Sequence, residues 1–110
     1  MPIDDPELTR CSLLVRHLVN LEALPREETR GQMTVAIIAD LADGFDVWKA
    51  EEAVVRLVTP LGATLQTVVR LPAAHRLVFE ATLANGKSAP GIVARLLADI
   101  TDALVQAASQ

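Results

Sequence analysis

Apolar positions return at two different spacings along these 110 residues, and the change of spacing divides the chain. In "DDPELTRCSLLVRHLVNLEALP" (residues 4–25), Leu8, Cys11, Leu14, Val15, Leu18 and Leu21 recur every three or four residues, which lines one face of a helix. Asp5 offers a cap, Pro6 suits the first helical position, Glu7 complements the helix dipole, and Pro25 supplies the stop. In "REETRGQMTVAIIADLADG", Val35, Ile38, Leu41 and Ala42 make a second helical stripe with Met33 and Ile37 beside it. Gln32, Ala36, Asp40 and Asp43 fall opposite, and Gly44 suits a left-handed helix end. Residues 33–39 also read as a buried strand, because the run has no clean period; the helix is the reading taken. "DVWKAEEAVVRLVTPLG" predicts a third helix capped by Asp46, with Val47, Val54, Val55, Val58 and Leu61 facing the core and Pro60–Gly62 ending it.

From residue 63 the period drops to two. In "ATLQTVVRL", Leu65, Thr67, Val69 and Leu71 alternate with Thr64, Gln66, Val68 and Arg70. In "RLVFEATL", Leu77, Phe79, Ala81 and Leu83 alternate with Arg76, Val78, Glu80 and Thr82. The two runs predict an antiparallel hairpin across "PAAH". The helical period then returns in "SAPGIVARLLADITDALVQAA", where Ile92, Leu96, Ile100 and Leu104 form a stripe widened by Val93 and Leu97. The pattern as a whole predicts one α+β domain over residues 6–108, behind a flexible tail at 1–5. Its order is α-α-α-β-β-α: three helices, a β-hairpin and a long amphipathic C-terminal helix.

Composition adjusts this picture in two ways. Apolar residues make up 51% of the chain, more than a domain of this size readily buries, so part of them is expected to cover a partner. The stripe Ile92, Leu96, Ile100 and Leu104 is the expected interface of a homodimer, since closed symmetric pairs are the commonest assembly. Net charge is −4, which argues against non-specific attraction to nucleic acid or to anionic membrane. No apolar run approaches the roughly 18–20 residues needed to span a bilayer. The acidic start lacks the regions of a signal peptide, and one cysteine gives no internal disulfide; the cytoplasm is the expected compartment.

The candidate chemistry is thin. "ATLANGKS" (residues 81–88) fits a loose phosphate-loop pattern, but the loop holds one glycine, and Pro90 and Gly91 sit in the first turn that would follow. Asn85–Gly86 is a common turn pair and Ser88 a helix cap, so the stretch is read as a turn. Cys11, His17 and His75 are the only soft metal ligands, and their spacing forms no metal site. Asp40 with Asp43 and Asp99 with Asp102 lie on polar helix arcs and read as solvated surface. Arg10 and His17, seven apart, resemble the Arg–His motif of HEPN ribonucleases, a likeness of two letters that implies an all-helical fold. No catalytic, metal or cofactor residues are assigned, and an enzyme is the less favoured class.

Two functional classes remain. The first is a small non-enzymatic interaction module, an adaptor, chaperone-like or regulatory subunit acting as a homodimer on a protein partner. The strand–strand–helix order of residues 60–108 resembles the closing part of small α/β secretion-chaperone-like dimers. The alternative is a winged-helix DNA-binding regulator with a C-terminal dimerisation helix. Its recognition helix would be Asp46–Thr59 and its wing 64–83, with Lys49, Arg56, Arg70, Arg76 and Lys87 meeting phosphates. Glu51 and Glu52 on the proposed recognition helix count against it.

Overall fold

The computed structural model describes residues 18–108. In chain order they form strands β1 (Leu18–Glu28) and β2 (Gln32–Leu41), helix α1 (Val47–Leu57), strand β3 (Ala63–Leu71), a short 3-10 turn (Pro72–Ala74), strand β4 (Arg76–Ala84) and helix α2 (Ala89–Ala108). The strands make one antiparallel sheet in the order β1-β2-β4-β3. Both helices pack on one face of it, with α1 over β3 and β4 and α2 reaching β1.

The expected order of three helices before the hairpin does not hold. Residues 32–41 are β2, a central strand paired with β1 on one side and β4 on the other. Val35, Ile37, Ala39 and Leu41 are buried under the helices at 4% exposure or less, while Thr34, Ile38 and Asp40 on the opposite face are half-buried. The alternation is masked in the sequence because the opposite face also carries apolar Ala36 and Ile38, and the chance stripe of Val35, Ile38 and Leu41 then mimics a helix. Residues 18–24, expected to end the first helix, are the start of β1. Pro25 lies inside β1 on its outer edge, beside a register shift between Pro25 and Glu27. Proline is tolerated there because an edge strand has a side with no ladder bond to give. The earlier part of that predicted helix and the tail at 1–5 lie outside the described residues.

The remaining elements follow the sequence pattern more closely. The Asp46 carboxylate accepts a hydrogen bond from the Trp48 N–H at 2.9 Å and starts α1. Its buried face is Val47, Ala50, Ala53 and Val54; Val55 and Leu61, expected in the core, are 70% and 53% exposed. In β4, Leu77, Phe79, Ala81 and Leu83 all point under the helices at 3% exposure or less. Small residues recur on the buried faces of both helices (Ala50 and Ala53 on α1, Ala103 and Ala107 on α2), and the two helices pack against each other. Gly62, at φ +79°, turns the chain into β3, and a Cβ there would stand 3.2 Å from Ile92 Cδ1. Among the described residues no helix is long and apolar enough to cross a membrane.

Candidate protein-contact site

The sheet has two outer edges, β1 and β3, and the second is where exposed apolar side chains gather. On the wheel of α1, the buried face is centred on Ala50 and Val54, and Trp48 and Val55, seven residues apart, share the flank beside it. The arrangement of α1 over β3 and β4 directs that flank toward the β3 edge. Trp48 is 57% exposed and is the only tryptophan in the chain. From β3 itself Val68, Val69 and Leu71 are exposed at 44%, 37% and 44%. A register shift between Thr67 and Val69 places Val68 as an extra residue in the strand.

Arg70 fastens this ridge together. Its Nε donates to Glu51 Oε1 at 2.6 Å, and its guanidinium carbon lies 5.6 Å from the centre of the Trp48 ring. The Arg70 hydrogen bond holds the Glu51 carboxyl below its ordinary value, with a further contribution from Thr67 against the cost of desolvation. The same bond raises Arg70. The pair keeps an arginine beside a tryptophan ring on an open surface, and these two residue types are enriched among the residues that carry most of the energy of protein contacts.

The residues singled out from sequence fall elsewhere, or fall apart. Leu96, Ile100 and Leu104 are 2%, 0% and 1% exposed and belong to the core of this chain. Ile92 is half-buried against Gly62. Burial within this chain leaves Leu96, Ile100 and Leu104 little surface to offer a second copy. The five cations assigned to nucleic acid do not share a face: Arg70 lies on the helix side of the sheet with Glu51, while Arg76 lies on the opposite side, its Nε 2.6 Å from Asp40 Oδ1. Lys49 and Arg56 are exposed on α1, and Lys87 is in the turn before α2. With residues 32–41 a strand, α1 has no preceding helix to complete a helix-turn-helix, so the winged-helix arrangement is absent from the described residues.

"ATLANGKS" is the end of an antiparallel strand and a turn. The Asn85 side chain donates to the Thr29 carbonyl at 3.0 Å and its backbone N–H to Gly31 at 3.2 Å, tying the turn to the β1–β2 connection. The Gly86 and Ser88 carbonyls take the N–H groups of Ala89 and Ile92. Among the described residues no three His, Cys, Asp or Glu side chains come together as a metal site. Asp40 is held by Arg76, and Asp43 stands 3.5 Å from His75. Asp99 stands 4.0 Å from Arg95. Arg10, Cys11 and His17 lie outside the described residues.

A second feature is a cleft of about 500 Å³ between the β1–β2 end of the sheet and the start of α2. Met33, Val35, Val93 and Leu97 line it, and its polar side chains are Glu28 and Asn85, the latter already engaged by Thr29. A ligand pocket ordinarily adds several convergent polar groups to such walls. Sequence reasoning missed the Trp48–Val55 flank because it placed Val55 in the core. The signal was present: Trp48 and Val55 are seven apart on a helix whose alanines mark the tightly packed face. No protein-family model, curated protein or solved structure matches this chain.

Proposed function

We propose that the protein is a non-enzymatic interaction module, an adaptor or regulatory subunit that binds protein through the ridge formed by α1 and the β3 edge. The observation that carries this reading is the exposed Trp48, with Arg70 5.6 Å from its ring and Val55 beside it, at an open strand edge whose Val69 and Leu71 are exposed on the other face of the sheet. Large exposed apolar patches beside polar groups mark contact sites, and an unpaired edge strand offers a row of backbone donors and acceptors to a partner.

Comparative affinity purification tests the reading. Tagged wild type and tagged Val55→Glu are used as baits in the same extract, with proteins quantified by mass spectrometry. Val55 is 70% exposed, so the substitution leaves the fold intact. Wild type is expected to retain at least one protein, its own untagged chain included, that the variant loses. Identical profiles would remove the ridge as the contact site.

A further inference from the structure

We infer that the occupant of the α1–β3 ridge is a second copy of this chain, paired β3 to β3 about a twofold axis perpendicular to the sheet. The inference rests on the proposed role of the ridge and goes beyond it by naming the partner.

Three observations lead there. The first is the height of the apolar surface. Val68 lies at the bulge of the strand, and Val69 and Leu71, paired with Val78 and Arg76, point to the face away from the helices, while Trp48 and Val55 stand on the helix on the other side. An extended peptide added to β3 covers the strand edge and leaves the helix flank wet. A second copy brings its own α1 in the same layer, because a perpendicular twofold axis keeps both helices on one face of the joined sheet. The second is spacing. Paired strands lie about 4.8 Å apart, and α1 lies over β3 and β4 rather than further inward. The two α1 helices therefore meet at roughly 8–10 Å, the distance of packed helices. The third is charge. Glu52 and Arg56 are exposed one turn apart on α1. In an antiparallel pair of α1 helices with the axis level with Val54, Glu52 of each copy faces Arg56 of the other, so the surface is self-complementary.

The product is a continuous eight-stranded antiparallel sheet with four helices on one face. Its ends are the two β1 strands, whose charges and proline stop further addition. Closure at two copies follows from the twofold axis.

Sedimentation velocity over a concentration series, hydrogen–deuterium exchange and Trp48 fluorescence test this together. Wild type is expected to sediment as a dimer at micromolar concentration. Association should slow exchange at β3 amides, leave β1 amides unchanged, and move Trp48 emission to shorter wavelength. Val55→Glu and Trp48→Ala should each weaken the dimer at least tenfold while keeping the wild-type circular dichroism spectrum. A wild type that stays monomeric at the highest soluble concentration overturns the inference. So does a dimer that both variants leave intact, or one that protects β1 or α2 in place of β3. A monomer whose ridge still retains a different protein in the affinity experiment would overturn this inference alone and leave the proposed function standing.

Discussion

The two edges of the sheet solve the same physical problem in opposite ways. β1 carries Glu22, Arg26, Glu27 and Glu28 among its eleven residues, holds Pro25, and breaks register twice. β3 has one charge in nine residues, Arg70, and that charge is turned back onto Glu51. Among the described side chains of β1, Leu24 is the single large apolar one exposed, against Val68, Val69 and Leu71 on β3. Charge and proline are the means by which natural sheets prevent unwanted strand addition. A chain that spends them on one edge and withholds them from the other has one edge closed and one available. The difference is also one of layers, because α1 supports β3 with Trp48 and Val55.

The largest effect expected from breaking this comparison comes from the strand between the edges. Phe79 on β4 is 1% exposed, and Phe79→Ala should destabilise the domain by about 3–5 kcal/mol. If the sheet is one cooperative unit, urea unfolding by circular dichroism will remain a single transition. Hydrogen exchange will then speed up at β1 and β3 alike. Faster exchange at β3 only would mean that the edges belong to separately folding halves.

Asp46→Ala acts on one side of the molecule. Losing the cap that accepts the Trp48 N–H should cost about 1 kcal/mol and loosen the first turn of α1. Exchange at residues 47–50 should rise while β1 stays unchanged, and wild-type behaviour at those amides would show that the cap contributes nothing.

Giving β3 the chemistry of β1 sharpens the contrast directly. Val68→Lys with Val69→Lys should change unfolding free energy by no more than about 0.5 kcal/mol, since both side chains face solvent. The reciprocal change, Glu22→Val with Glu27→Val, should lower solubility and add a second route of association through β1. Light scattering of the two double variants against wild type is the measurement. A lysine pair that associates like wild type would show that the β3 edge is not the open one.

The smallest effect concerns acid. Glu51 is held below its ordinary value of 4.5 by Arg70. The stability it contributes is therefore complete above that value and is lost as pH falls through the lowered folded value. Arg70→Met should remove this part of the acid dependence and leave neutral stability little changed, because the pair is partly exposed to water. Thermal melts of both proteins in steps below pH 5 would check it. An unchanged acid limb in Arg70→Met would show that the ion pair does not couple to folding.

How much of this was legible before the structure differs between elements for definite reasons. The hairpin of β3 and β4 and the helix α2 carry clean periods, because each is covered on one face and wet on the other. β2 alternates in burial, but Ala36 and Ile38 on its outer face are apolar too, so its period is masked and its stray spacing imitates a helix. β1 was read as a helix since Leu18 and Leu21 suit either element, and Pro25 looked like a terminator when it marks an edge. The apolar stripe of α2 reads in sequence as the interface of a homodimer, because spacing does not say whether the chain's own core or a second chain covers it. Leu96, Ile100 and Leu104 lie in this chain's own core. The contact site now proposed was hidden for a related reason: Val55 is apolar on an amphipathic helix, and only its neighbours distinguish core from surface.

By itself the sequence determined where the chain alternates, where it turns, which residues cap α1 and which prefer burial, because these are local consequences of side-chain shape and backbone preference. What covers each apolar face, which strand lies in the middle, and which edge stays open were decided by tertiary structure. Those are relations between segments tens of residues apart, and burial is a property of the neighbour as much as of the residue buried.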